Sequence, residues 1–162
     1  RIVVDVREWR SSLPNLLHRG GFRLRALTLT VGDFVLTPEV CVERKSLSDL
    51  FGSFASGRLY KQASQMQRYY SCPVLLIEFS SEKSFTMQNA EHISQYISAD
   101  SICSKMALLV ISFPKLRILW SRSPHATVDI FEALKKNLPE PDEAQAMSYG
   151  QDLLEAAAAP AK

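Results

Sequence analysis

Val31-Gly32-Asp33-Phe34-Val35-Leu36-Thr37-Pro38-Glu39-Val40-Cys41-Val42-Glu43-Arg44-Lys45-Ser46 is the stretch on which the reading of this chain turns. Gly32-Asp33 is a turn signal. Residues 34–36 and 40–45 read as two strands around Thr37-Pro38-Glu39. Side chains two apart on a strand share a face. Glu43 and Lys45 therefore project together, and Arg44 points the other way. Val40-Cys41-Val42 makes this an apolar, buried strand, and a carboxylate buried at its end needs a partner. If the two strands pair as a hairpin, Asp33 returns opposite Glu43. Two carboxylates and one ammonium then share an edge. On spacing alone, an ordinary surface ion pair on an edge strand is the better reading of Glu43 and Lys45.

Working outward, the flanks alternate between the two periodicities. Ile2-Val3-Val4-Asp5-Val6 is an apolar run of the kind found in buried strands. Ser12 is placed to cap a helix with Pro14 in its first turn, and Gly20-Gly21 ends it. Residues 22–29 read as a strand. Ser46 caps a helix directly after the central strand, with Asp49 three residues on in a capping-box position. Residues 58–70 have helical period with Leu59, Ala63 and Met66 inside. Pro73 opens the apolar run Val74-Leu75-Leu76-Ile77, and 116–120 is the last strand. Residues 93–113 and 124–136 read as helical. Strands alternating with helices give an α/β class with a central mixed sheet.

Pro139-Glu140-Pro141-Asp142 reads as a linker, and the Ala-rich 143–159 as a terminal helix acting as a hinge rather than as core. The chain has 162 residues, which suits one domain, and 46% of them are hydrophobic, enough for a core. A formal charge of +2 is a weak electrostatic footprint, so a nucleic-acid ligand held by charge alone is disfavoured. Cys41, Cys72 and Cys103 are odd in number and form no CxxC pair, which argues against a disulfide framework and a structural zinc site. No apolar run reaches membrane-spanning length. The opening residues read at once as a strand, so the chain is expected to be cut from a longer protein.

The shared edge suits one task well. Two carboxylate oxygens bind a hard divalent cation, Mg²⁺ or Mn²⁺. Such an ion lowers the pKa of bound water and neutralises charge on a phosphate. The Lys45 ammonium then orients the attacking water or stabilises the transition state. Asp-x(n)-Glu-x-Lys is the pattern of restriction-endonuclease-like nucleases. Here Gly32-Asp33 followed by Glu43-Arg44-Lys45-Ser46-Leu47-Ser48-Asp49 resembles the GDx(n)ERKxxxD motif of the XPF-type structure-specific endonucleases, their catalytic subunits above all. Val3-Val4-Asp5-Val6-Arg7-Glu8, Gly57-Arg58-Leu59-Tyr60, Pro73 to Phe79 and the run from Leu116 to Thr127 are collinear with the same family. The resemblance covers residues 1–138, leaving 139–162 as a linker and helical tail toward a missing C-terminal module.

The resemblance implies a restriction-endonuclease-like sheet flanked by helices. It implies a Mg²⁺- or Mn²⁺-dependent endodeoxyribonuclease that cuts near duplex/single-strand junctions in nucleotide excision and interstrand crosslink repair. Asp33, Glu43 and Asp5 match metal-site acids of the family, and Lys45 its catalytic lysine. Arg7, Arg44, Asp49 and Arg58 match supporting or DNA-contacting positions. The implied partners are branched or junction DNA and a non-catalytic homologue in a nuclear heterodimer, with no membrane. Bland readings stand beside these. Arg7 is a structural partner for Asp5 or Glu78, Arg44 a partner for Asp49, and Tyr60 and His125 packing or capping residues. Repulsion between Asp33 and Glu43 in a metal-free site predicts that Glu43→Ala stabilises the domain rather than unfolding it.

Overall fold

Six strands, β1 (Ile2–Asp5), β2 (Leu24–Leu27), β3 (Phe34–Val35), β4 (Val40–Ser46), β5 (Cys72–Glu78) and β6 (Arg117–Ser121), form one sheet in the order β2-β1-β3-β4-β5-β6. The computed structural model describes residues 1–79 and 99–152. β4, β5 and β6 run parallel to one another, and β3 joins them antiparallel to β1 and β4. The sheet is therefore mixed, as the alternation of periods implies. β1 is parallel to β2 at the edge.

The alternation of side chains sorts the core into two layers. Ile2, Val4, Phe34, Val42, Val74 and Leu76 pack with Leu13 and Leu17 of α1 (Leu13–Arg19) and Phe131 of α5 (Pro124–Lys135). Phe131 meets Phe34 edge-on, ring centres 5.3 Å apart. Val3, Val35, Cys41, Leu75 and Ile77 face the other way. They pack with Leu50 and Phe54 of α2 (Leu47–Ala55), with Leu59, Ala63 and Met66 of α3 (Arg58–Tyr69), and with Leu109 of α4 (Ala99–Ser112). Each fully buried aliphatic chain in these layers contributes roughly 1.5–3 kcal/mol. Continuous apolar runs in β1 and β5 follow from this burial on both faces.

Local signals hold with two exceptions. Ser46 Oγ accepts from Asp49 N at 3.1 Å and starts α2, and Ser123 does the same for Ala126 at the head of α5. Ser12 stands before α1, but its hydroxyl makes no cap bond, because its own backbone is already helical. The helix read over 93–113 is α4 from Ala99 onward, and 93–98 lies outside the described residues.

The second exception is the tail. α6 (Glu143–Ser148) follows an Asp142 cap, and it packs on the body instead of hinging away. Ala146 is buried among the α2–α3 layer. Tyr149 stacks on Tyr69 at 4.8 Å and meets Tyr70 edge-on. Glu143 pairs with Arg1 and Arg25. Gly150, with φ +81°, lies so close to the chain that a Cβ there would stand 2.7 Å from Thr30 Cγ2. The packed body thus extends past the boundary drawn at residue 138. The remainder of the tail, 153–162, lies outside the described residues. Among the described residues no helix is long and apolar enough to cross a membrane.

Candidate active site

Gly32 makes the turn that brings Asp33 home. Its φ is +76°, and a Cβ there would fall 2.1 Å from Cys41 Sγ, so only glycine fits. The turn is then stitched on both sides: Asp33 N donates to Val42 O at 2.9 Å, and Asp5 N donates to Asp33 O at 2.8 Å. Phe34 stands opposite Val42 in the β3/β4 register, and Asp33, one residue earlier, lines the same cavity as Glu43. The hairpin expectation is met.

Glu43 and Lys45 share the α2–α3 face of β4 and are both nearly buried, 4% and 6% exposed. Lys45 Nζ donates to Glu43 Oε1 at 2.8 Å. Gln62 Nε2, from α3, donates to the same oxygen. Arg44 N donates to Asp33 Oδ2 at 2.8 Å. Among the described residues no donor reaches Asp33 Oδ1 or Glu43 Oε2. Each acid is held by one oxygen and offers the other. Both line a cavity of about 120 Å³, together with Arg7, Thr30, Gly32, Gln62 and Gln65. Burial and the neighbouring Glu43 charge push the Asp33 carboxyl up to about 7, against the pull of the Arg44 N–H.

Asp5 behaves differently from the expectation of a third metal-facing acid. Its Oδ1 accepts from Arg7 N at 2.8 Å and Arg7 Nε at 2.6 Å, and its Oδ2 from Leu29 N at 2.8 Å and Arg7 Nη2 at 3.1 Å. Both oxygens are consumed. Burial alone would raise this carboxyl, but the Arg7 and Leu29 donors outweigh it and hold it below its usual value. Asp5 caps the 3₁₀ turn Val6–Arg10 and anchors Arg7. Among the described residues no three acids, histidines or cysteines converge. Asp33 and Glu43 are the two acids that line the cavity.

Arg7 lines the cavity with its side chain 69% exposed, and its Nη1 makes no bond among the described residues. Of the two bland partners expected for it, Asp5 is the one found. Arg44 does not reach Asp49. It bridges Glu8 at 2.9 Å and Glu78 at 2.7 Å on the opposite face of β4, and Glu78 also accepts from Thr127 Oγ1 at 2.9 Å. Asp49 is occupied by its own cap, accepting from Ser46 Oγ at 2.8 Å. Arg58 opens α3 and donates to Ser53 Oγ at 3.0 Å, outside the cavity lining. Tyr60 packs between Phe54 and Phe113, and His125 is exposed on the first turn of α5.

Sequence reasoning missed Glu8, Gln62 and Gln65. The signal for the glutamines was present. They stand three apart on α3, beside the buried Leu59-Ala63-Met66 face, where a helix borders the sheet edge.

A family model described as the ERCC4 domain matches residues 4–134. The chain is similar to the DNA repair endonuclease UVH1 of Arabidopsis thaliana, 55% identical over 150 residues, 93% of this chain and 16% of that protein. It is 54% identical over 151 residues to the DNA repair endonuclease XPF of Cricetulus griseus, again 93% and 16% of the two chains. It thus spans 16% of the length of these relatives. Among solved structures, XPF from Aeropyrum pernix superposes with a TM-score of 0.69 at 29% identity, covering 84% of this chain and 60% of that one. The same archaeal protein in complex with DNA gives a TM-score of 0.69 at 28% identity, covering 84% and 63%. The sheet is accordingly of the restriction-endonuclease-like kind.

Proposed function

This chain belongs to the ERCC4 domain family, and from that premise we propose that it is the metal-dependent nuclease domain of a structure-specific DNA repair endonuclease. The observation that carries the reading is the meeting of Asp33 and Glu43, each with one uncommitted oxygen on a common cavity. Two such oxygens are the donor chemistry of a hard divalent cation, Mg²⁺ or Mn²⁺. An ion held by Asp33 and Glu43 would supply water activation and charge neutralisation at the phosphate.

The protein's own groups do the rest. Lys45 lies behind Glu43 and brings a buried positive charge to the site, where it orients the attacking water or steadies charge on the phosphate. Arg7, clamped by Asp5, presents its free Nη1 to a phosphate oxygen. Asp5 serves the reaction by holding Arg7. Arg44 fixes the Asp33 carboxylate through its backbone N–H. Arg58 and Asp49 stand at helix starts flanking the site, Arg58 exposed toward a passing backbone. The bond broken is the phosphodiester, and the 3′ oxygen leaves.

The substrate class is branched or junction DNA: the names of the relatives and the DNA complex of the archaeal neighbour support DNA, and the motif resemblance supports the junction. The same likeness supports nuclear excision and crosslink repair, a non-catalytic homologous partner in a heterodimer, and a helix-hairpin-helix module in a longer chain. A net charge of +2 agrees with a domain that borrows DNA affinity from such modules.

The test is cleavage of an end-labelled stem-loop DNA in Mn²⁺, wild type beside Asp33→Ala. Cutting near the junction by wild type alone is the expected result. Equal cutting by both places the chemistry elsewhere and overturns the reading.

A further inference from the structure

We propose that Gln62 is a positioning residue of the site, holding Glu43 in the orientation that leaves one carboxylate oxygen for the divalent cation. The inference rests on the metal-dependent reading above and adds a residue to it. Gln62 sits on α3, whose Leu59, Ala63 and Met66 are buried against the sheet, so the helix is a fixed platform over Glu43. Its Nε2 donates to Glu43 Oε1, and the side chain lines the cavity.

The Lys45 ammonium alone cannot choose between the two Glu43 oxygens. It is a compact point charge on a flexible stem, and either oxygen satisfies it equally. An ammonium swung across both would close the cavity to a cation. The planar amide of Gln62 arrives from a second element and reaches only Oε1. Two donors from two elements on one oxygen leave Oε2 as the oxygen that faces a ligand. Asp33 shows the same design with a backbone donor in place of the amide. Gln62 Oε1 itself is buried with no partner among the described residues.

α3 supplies its own control. Gln67 Oε1 is likewise buried and unpartnered, yet Gln67 bonds no acid and does not line the cavity. A role in packing predicts similar behaviour for the two glutamines. A positioning role predicts that only Gln62 touches metal affinity.

The experiment compares wild type, Gln62→Met and Gln67→Met. Methionine keeps the length and the packing of glutamine and removes the donor. Mn²⁺ binding is titrated calorimetrically, thermal melting is followed in EDTA, and stem-loop cleavage is measured over a range of Mn²⁺. Loss of a group that orients a metal ligand typically weakens metal binding or activity by about 10–100-fold. Gln62→Met is expected to weaken Mn²⁺ by that order while melting in EDTA as wild type does. Its kcat falls at limiting Mn²⁺ and recovers in excess, with KM for DNA unchanged. Gln67→Met is expected to bind Mn²⁺ as wild type does.

Wild-type Mn²⁺ affinity in Gln62→Met overturns the inference. So does an equal loss in Gln67→Met, which assigns both glutamines to packing. Should Gln62→Met fail to fold, Gln62→Ala carries the same test, since alanine removes the amide and is the best helix former. A wild-type chain that binds Mn²⁺ but cuts no DNA shows that this domain does not cleave by itself, and the affinities still decide the role of Gln62. A wild-type chain that binds no Mn²⁺ overturns both.

Discussion

The two faces of β4 carry charges of both signs, deeper on the Lys45 face than on the Arg44 face, and they are wired differently. On one face Arg44 stands between Glu8 and Glu78, giving each a guanidinium nitrogen, and Thr127 takes the other oxygen of Glu78. On the opposite face Lys45 serves Glu43 alone, and Asp33 receives a single backbone N–H. Buried charge is tolerated when its partners are close and well aimed. The Arg44 face meets that condition within the protein. Each cluster holds two acids and one base, and the difference lies in the pairing. Arg44 reaches both of its acids, whereas Lys45 reaches Glu43 alone. Asp33 is left with a backbone N–H, and burial and the Glu43 charge push it up to about 7.

The largest effect comes from breaking the functional face at its cation. Lys45→Ala is expected to leave Mn²⁺ binding nearly intact and to slow cleavage by about 10²–10³-fold, the usual loss when one transition-state donor is removed. Single-turnover cleavage beside calorimetric Mn²⁺ titration measures both. A variant that cuts at wild-type rate returns Lys45 to the rank of an ordinary ion pair.

The other face is expected to fail in stability. Arg44→Met strands Glu8 and Glu78, which are 20% and 14% exposed and have no second cation among the described residues. Removing one partner of a fully buried ion pair costs roughly 3–5 kcal/mol, and partial exposure places this case at or below the lower end. Denaturant unfolding in EDTA measures it. A midpoint equal to wild type would mean that solvent screens the Arg44 bridge and that the contrast between faces is smaller than drawn.

How much of this was legible in the sequence follows from distance along the chain. Asp33 and Glu43 were legible because a short hairpin fixes their register. Glu43 and Lys45 were legible because strand alternation places them together. The partners of Arg44 were not. Asp49 is five residues away and was the natural guess, but its carboxylate is spent on the α2 cap, whereas Glu8 arrives from a turn 36 residues distant. Asp5 was read as a metal-site acid on the family resemblance, and an acid in an apolar strand asked for a function. The 3₁₀ turn that delivers Arg7 N to it, and the segment after β2 that delivers Leu29 N, have no pattern to read. The tail was read as a hinge because Pro139 to Asp142 looks like a linker. Its anchors are an alanine, a tyrosine and a close-fitting glycine, which carry no amphipathic signature.

A smaller effect tests the strain on the buried Asp33 directly. The sequence placed the relief of repulsion at Glu43→Ala, but that change would leave Lys45 buried with no carboxylate at hydrogen-bond distance. Asp33→Asn is the cleaner relief. The folded-state pKa of Asp33 lies near 7, above the 3.8 of an ordinary aspartate. Between those values the folded state holds a proton that the unfolded chain has released, so this group's contribution falls as pH rises from about 4 to 7 and is flat above. In EDTA at pH 8, Asp33→Asn is expected to raise the melting temperature by about 2–4 °C, as roughly 1 kcal/mol does in a domain of this size. At pH 4 the gain should vanish. A gain that persists unchanged at pH 4 would mean that Asp33 carries no such strain.

The smallest effect concerns Asp49, which the motif groups with the site and the structure gives to the start of α2. Its carboxylate accepts from Ser46 Oγ, while its N–H donates to the same oxygen. Ser46 directly follows Lys45, so this cap is the joint between β4 and α2. Losing part of such a cap costs about 0.5–1 kcal/mol, and an acid in the first helical turn adds a further few tenths. Asp49→Ala should therefore lower the melting temperature slightly, and Ser46→Ala somewhat more, since Ser46 supplies the acceptor for the helix N–H. Cleavage should fall in both variants by less than in Lys45→Ala, because the joint loosens without removing a group from the cavity. Salt separates this from a DNA contact. A carboxylate near a phosphate repels it, so Asp49→Ala would then bind stem-loop DNA more tightly at low ionic strength. Unchanged DNA affinity with a small stability loss keeps Asp49 with the architecture of the Arg44 face. Abolished cleavage at unchanged stability moves it to the other.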